Sequence, residues 1–419
     1  MKKRSVLLLP LLVLLSGCIF PLHAVSPDPV ISSPAPLSDA ASVSVYDFPL
    51  PEVRPEISRP DADPDAVPDA VPSERTALRE PKLAVFWYAM ADAHVFQLRE
   101  QFGPELENSG IPFREFDAEN DRFRQLDQVR EAVAGGWNVL AVQLVRDGST
   151  EQAEEILTAA GGCPVLFFDR TPDAASFASA SGLPSDHVGI ITTDPDALGR
   201  VQGRMIGEYL VRNFGTADLN QDGQILYTYL IGNRNDDREP ALCRAALDEA
   251  NSILAENGYR SLMFIDEENT LGFQADPEGT GSSAAGNAVL FSDLAVFNYE
   301  NANMIELIAA SGDDLALGAL TALQASWCNL GDGSSVTIPL FGAGGSSAAR
   351  MAVELGQMTG TVEGNSASYA RAVLGAVRGL AEGQSVSVVF SELSASSTDF
   401  SVSGALPSVL CVEPLPVRS

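Results

Sequence analysis

The chain has 419 residues, with 56 acidic against 26 basic side chains, a formal charge of −30, and 45% apolar residues. A surface this acidic repels phosphate backbones and anionic lipid, which excludes nucleic-acid binding and suits a neutral or cationic ligand. The length allows two domains with real cores even after low-complexity stretches are set aside.

Lys2, Lys3 and Arg4 form a short cationic head, followed by an apolar run from Val6 to Leu15 broken only by Pro10. That run is too short to span a bilayer as a mature helix and suits the centre of a signal peptide. It ends in Leu15-Ser16-Gly17-Cys18, which resembles a bacterial lipobox. The resemblance implies removal of residues 1–17 and acylation of Cys18, so the mature protein is expected in the periplasm or at the cell surface, anchored to a bacterial membrane. Each acyl methylene buried there contributes ~0.8 kcal/mol. Residues 18–81 read as a tether. Thirteen of the 26 prolines lie between Pro21 and Pro81, and proline alternates with aspartate from Pro60 to Pro72, so neither helix nor sheet is favoured. Extended at ~3.1 Å per residue, such a stretch reaches more than ~100 Å.

From Lys82 onward, short apolar runs alternate with amphipathic segments. The expected strands are 83–88, 112–116, 139–145, 165–169, 188–192, 225–231, 262–266, 306–310, 337–342 and 360–363. The expected helices are 125–133, 150–159, 197–213, 240–257, 315–326 and 368–381, with apolar residues recurring at three and four positions, as in Leu198, Val201, Met205 and Tyr209. Continuous apolar strands between helices predict an α/β fold with parallel sheets flanked by helices, and about ten such strands exceed one comfortable sheet. The segment 266–303 breaks this rhythm and reads, around its Gly/Ser-rich stretch 279–286, as an inserted loop.

Ligands of open parallel sheets gather at the carboxyl ends of the strands. Asp92 and His94 follow the first expected strand, Gln143 lies near the end of the third, and Asp169 and Arg170 end the fourth. The polar loop 232–240, with Asp236 and Asp237, opens a helix carrying Arg244. Carboxylates, amides and guanidinium groups suit sugar hydroxyls, which both donate and accept. Besides Cys18 the chain has Cys163, Cys243, Cys328 and Cys411. An exported protein permits disulfides, so a Cys328–Cys411 bridge and four free thiols both stand open.

Asp218-Leu-Asn220-Gln-Asp222-Gly223-Gln224 matches the first half of an EF-hand loop, with side-chain oxygens at positions one, three and five and glycine at six. The twelfth position is Tyr229 rather than glutamate, so a Ca²⁺ site needs a carboxylate from elsewhere.

At this loop the chain resembles the periplasmic galactose/glucose-binding proteins of the type I solute-binding family. The resemblance runs over most of 82–410 and includes Asn138–Val145, Pro164–Pro172, Thr193–Gly203, Ile338–Gly342 and Gly360–Val362. It implies a two-lobed fold with a three-stranded hinge: lobe one from 82–192 plus 364–405, lobe two from 193–363 plus 406–419. It implies a hexose between the lobes, held by Asp92, by His94 in place of a stacking phenylalanine, by Gln143, and by Asp236, Asp237 and Arg244. It also implies Ca²⁺ on Asp218, Asn220, Asp222, Gln224 and a distant Glu306. The sequence departs from the family at Leu226, where a side-chain amide closes the calcium loop. It departs again at Gly312, Gly344 and Gly364, which stand for polar sugar ligands, and the adjacent Asp313, Asp314 and Asn365 are expected to take their place if the sugar site is kept.

A monomeric, lipid-anchored binding protein that delivers a hexose to an ABC-transporter permease is therefore the expected function. The glycines of lobe two leave open a bulkier or non-sugar solute, or a surface or sensor lipoprotein with a degenerate cleft. An enzyme is not expected: there is no GxSxG elbow, metal-binding histidine pair or P-loop, and Gly342-Ala-Gly-Gly lacks the third glycine of a dinucleotide fingerprint.

Overall fold

The structure, a computed structural model, describes residues 80–181, 186–235, 237–266, 268–297 and 304–418. Cys18, the expected signal peptide and all but the last two residues of the expected tether lie outside these. Strands and helices alternate in two sheets. The first begins with β1 (Leu83–Trp87), β2 (Phe113–Asp117), β3 (Val139–Val142), β4 (Val165–Phe168) and β5 (Val188–Thr192), connected by α1 (Ala93–Ser109), α2 (Arg122–Ala134), α3 (Thr150–Ala160) and α4 (Ala174–Ser181). The second follows with α5 (Pro195–Ala217), β6 (Leu226–Ile231), α6 (Arg238–Glu256), β7 (Met263–Phe264), β8 (Gln274–Ala275), α7 (Ser283–Phe297), β9 (Leu307–Ala310), α8 (Asp313–Ala325), β10 (Leu340–Ala343), α9 (Ser347–Glu354) and β11 (Gly360–Glu363). The chain then returns through α10 (Ser366–Ala381), α11 (Val386–Ser396), β12 (Phe400–Val402), β13 (Val409–Val412) and β14 (Leu415–Arg418).

Strand order is β12-β13-β5-β4-β3-β1-β2 in one sheet and β14-β11-β10-β9-β6-β7 in the other, with β8 also on β6. All pairings are parallel except β12–β13 and β11–β14. Because helices cover both faces, the central strands are apolar at every position rather than at alternate ones. β1, β3 and β4 are wholly buried. Trp87 meets Phe102 and Phe168 edge-on at 5.2 and 5.4 Å, while its indole N–H donates to Glu115 Oε1 at 2.7 Å.

The chain passes between sheets three times, at 193–194, 364–365 and 413–414. The last passage comes later than residue 406, because β13 pairs with β5 in the first sheet and only β14 joins the second. No disulfide joins the four cysteines of the described region, so Cys328 and Cys411 do not pair; they lie in different lobes. The segment expected to be a loop at 266–303 contains a helix, α7. Small residues let it lie directly on α8: a Cβ at Gly318 would sit 2.0 Å from the Ser283 carbonyl oxygen, and one at Gly286 2.3 Å from that of Leu315. Among the described residues no helix is long and apolar enough to cross a membrane.

Candidate functional site

Side-chain contacts link the lobes through the carboxyl ends of their strands. Gln97 on α1 donates to Ser347 Oγ on α9 at 2.6 Å, and Arg238 at the start of α6 pairs with Asp147, beyond β3, at 2.8 Å. The cleft therefore lies where open parallel sheets bind ligands.

Its first-lobe wall is a polar cluster. Asp92 caps α1, accepting from the backbone N–H of His94 and Val95. His94, in the first turn, donates from Nε2 to both carboxylate oxygens of Asp169 at 3.1 Å. Gln143 donates from Nε2 to Asp169 Oδ2 at 2.8 Å. Arg170 stacks over the Tyr88 ring, 4.2 Å from its centroid, and donates to the carbonyls of Leu144 and Val145. Asp169 adopts a left-handed backbone, φ 59°, which non-glycine residues rarely adopt and which is held here by these contacts.

Electrostatics follow from that packing. The Asp169 carboxylate raises the pKa of His94 to about 9, against an opposing effect of burial. Burial works against the charge of Asp169, but His94, Arg170 and the Gln143 amide outweigh it and hold the carboxyl below its ordinary range. The wall thus carries a fixed carboxylate and an imidazolium. Gln143 is fully buried, and its Oε1 has no hydrogen-bond partner among the described residues. A buried acceptor left alone costs ~1–3 kcal/mol, so such an atom marks a place where a donor is missing.

The second lobe differs from what the sequence suggests. Arg244 is exposed on the outer face of α6, because Leu242, Cys243, Ala246 and Ala250 take its buried face; Arg238 is the arginine that reaches across the cleft. Asp237 is exposed at the start of the same helix, and Asp236 lies outside the described residues. Asp313 is turned into its own lobe, where it accepts from Thr361 Oγ1 at 2.5 Å and Ser346 N at 2.6 Å. The missing side chains of Gly342 and Gly344 make room for it: added Cβ atoms would lie 2.4 and 3.1 Å from its two carboxylate oxygens. Asn365 is occupied at the hinge, capping α10 through Ser368 N and donating to Glu413 O at 3.2 Å. Its side chain holds a crossing rather than a ligand.

The calcium donors are likewise engaged locally. Glu306, fully buried, accepts from the backbone N–H of Leu219, Asn220 and Leu226. Asp218 accepts from Asp222 N and Gly223 N, Asp222 from Gln224 N, and the Gln224 amide donates to Ser261 O. Among the described residues no three Asp, Glu, His or Cys side chains are drawn together as a metal's donors. The arrangement does not fit the expected ion.

The match to the periplasmic binding protein domain family covers residues 83–385. This chain belongs to that family. It is 28% identical over 288 residues to the D-galactose/methyl-galactoside binding periplasmic protein MglB of Haemophilus influenzae, covering 68% of this chain and 77% of the relative. Solved structures that share the fold include two with bound polyols. One is an ABC-transporter solute-binding protein of Actinobacillus succinogenes with D-allose: TM-score 0.56, 17% identity, 81% of this chain and 97% of that one. The other is the Caulobacter myo-inositol binding protein: TM-score 0.50, 18% identity, 81% and 94%. In this periplasmic binding protein, Asp169 and Arg170 were marked only by their place at a strand end. Arg238 was hidden among the charges of its loop.

Proposed function

We propose that this periplasmic binding protein takes a hexose between its lobes and delivers it to an ABC-transporter permease while anchored through Cys18. The observation that carries the proposal is the orphaned Gln143 Oε1, set beside an Asp169 carboxylate fixed by His94 and the Gln143 Nε2. A sugar hydroxyl supplies the missing donor, and a neighbouring hydroxyl can donate to Asp92 or Asp169. An imidazole at His94 covers one sugar face. The name of the Haemophilus relative supports a hexose.

Titration calorimetry of the purified chain with galactose and glucose tests this: saturable heat for either supports a hexose, and none for both removes it. Lipid attachment is tested separately by mass spectrometry of the mature amino terminus and by release of a Cys18→Ser variant from membranes.

A second reading rests on lobe two. Gly312, Gly344 and Gly364 offer no side chain, and Asp313 and Asn365 are already committed. A bulkier or non-sugar solute then fills the space, and heat with a glycoside larger than a hexose, but with neither monosaccharide, supports this reading.

A further inference from the structure

The loop from Asp218 to Gln224 has the residues to ring a cation, but each oxygen of its two aspartates already accepts from an N–H of the loop. Asp218 Oδ2 accepts from Gly223 N at 2.9 Å and Oδ1 from Asp222 N at 3.2 Å. Asp222 Oδ1 accepts from Gln224 N at 2.8 Å, and its Oδ2 from the Asn220 side-chain nitrogen at 3.0 Å. Gln224 turns its side-chain amide away to Ser261 O. At the position where the family has a further amide, Leu226 is packed into the core, 7% exposed. That donor is gone.

Glu306 sits immediately before β9 and joins three places. Its Oε1 accepts from Leu219 N at 2.6 Å and Asn220 N at 3.3 Å, and its Oε2 from Leu226 N, at the first residue of β6, at 3.0 Å. Its own N–H donates to Leu226 O at 2.8 Å. Three amide dipoles on one fully buried carboxylate offset part of the loss of water that burial imposes, and burial still leaves its pKa raised. In a metal-bound loop the cation neutralises converging carboxylates and ties the loop to the sheet. Here amide hydrogens meet the negative oxygens, and Glu306 supplies the tie.

We propose that this loop is a cation-independent clasp, in which the Glu306 carboxylate, bonded to Leu219, Asn220 and Leu226, does the work of a calcium ion. The test uses the full chain after chelator treatment. Calorimetric titration with CaCl₂ is expected to give no binding heat, and Tm is expected to be the same in CaCl₂ and in EGTA. Glu306→Gln replaces one accepting oxygen by a donor facing an amide, so Tm should fall by roughly 2–6 °C, equally in both solutions. Asp222→Asn keeps an acceptor for Gln224 N and gives up only the exposed bond from the Asn220 amide, so any fall in Tm should be small, about 1–2 °C, and equal in both solutions, which covers the case in which Glu306→Gln does not fold. A wild-type Tm that rises with calcium, saturable calcium heat, or a Glu306→Gln effect confined to calcium-containing solution overturns the proposal.

Discussion

Asp169 concentrates the demands of the candidate site on one residue. It stands in a left-handed conformation that glycine adopts freely, while its carboxylate is bonded by His94 and Gln143. Asp169→Gly therefore removes the chemistry and relieves the backbone. Ligand affinity by calorimetry should fall roughly 10- to 100-fold, with Tm changing little, because lost hydrogen bonds and relieved strain offset one another. The same carboxylate gives a pH signature. The folded pKa of His94 is raised to about 9, so its stabilising effect is fully present below its unfolded value near 6.5. That effect is lost as pH rises through about 9. Thermal melts between pH 7 and 10 should show this loss, and His94→Gln should flatten that part of the profile. His94 and Gln143 could be found in the sequence because a strand's end is easily located. The outward turn of Arg244 and the inward turn of Asp313 could not, since both depend on which helix face the core claims.

Among the elements, α7 shows where periodicity stops being informative. Its residues Ala284, Ala285, Ala288, Val289, Leu290 and Leu294 give no single apolar stripe, and its opening Ser/Gly residues imitate a loop. Those small residues are what a close helix contact requires. Gly318→Ala should force α7 and α8 apart and cost about 1–3 kcal/mol in denaturant unfolding. Gly215→Ala, near the end of α5 where an added Cβ meets nothing within 4 Å and no proline follows, should instead stabilise by roughly 0.4–1 kcal/mol. The ten strands expected from 83 to 363 are all present, because most are buried parallel strands and so continuous apolar runs; the two-residue β8, inside the segment read as a loop, was not among them. Those after residue 396 escaped notice: β12 to β14 are short, and two of them lie at sheet edges.

Across the whole molecule, the lobes meet through Arg238–Asp147 and Gln97–Ser347. Asp147 is anchored by accepting from Thr171 N at 3.0 Å, so Arg238 meets a fixed partner. Half-exposed pairs of this kind contribute ~0.2–1 kcal/mol, which corresponds to a change of about 1.4- to 5-fold in a two-state ratio. Arg238→Ala should shift the ligand-free protein toward separated lobes by that factor. Small-angle X-ray scattering would register a larger radius of gyration, and salt should do the same to the wild type but not to the variant. The two-lobed plan was legible in the order of strands and helices, whereas the contacts across the cleft arise only when loops distant in sequence are brought together.

The late return of the chain also governs when the molecule can exist at all. β5 ends at Thr192, but its neighbour β13 begins at Val409, so the first sheet stays incomplete until more than two hundred further residues have been made. At ~5–20 residues per second, that delay lasts roughly 10–40 s. Throughout that interval the nascent chain has a sheet with one side unfilled and no means of closing it.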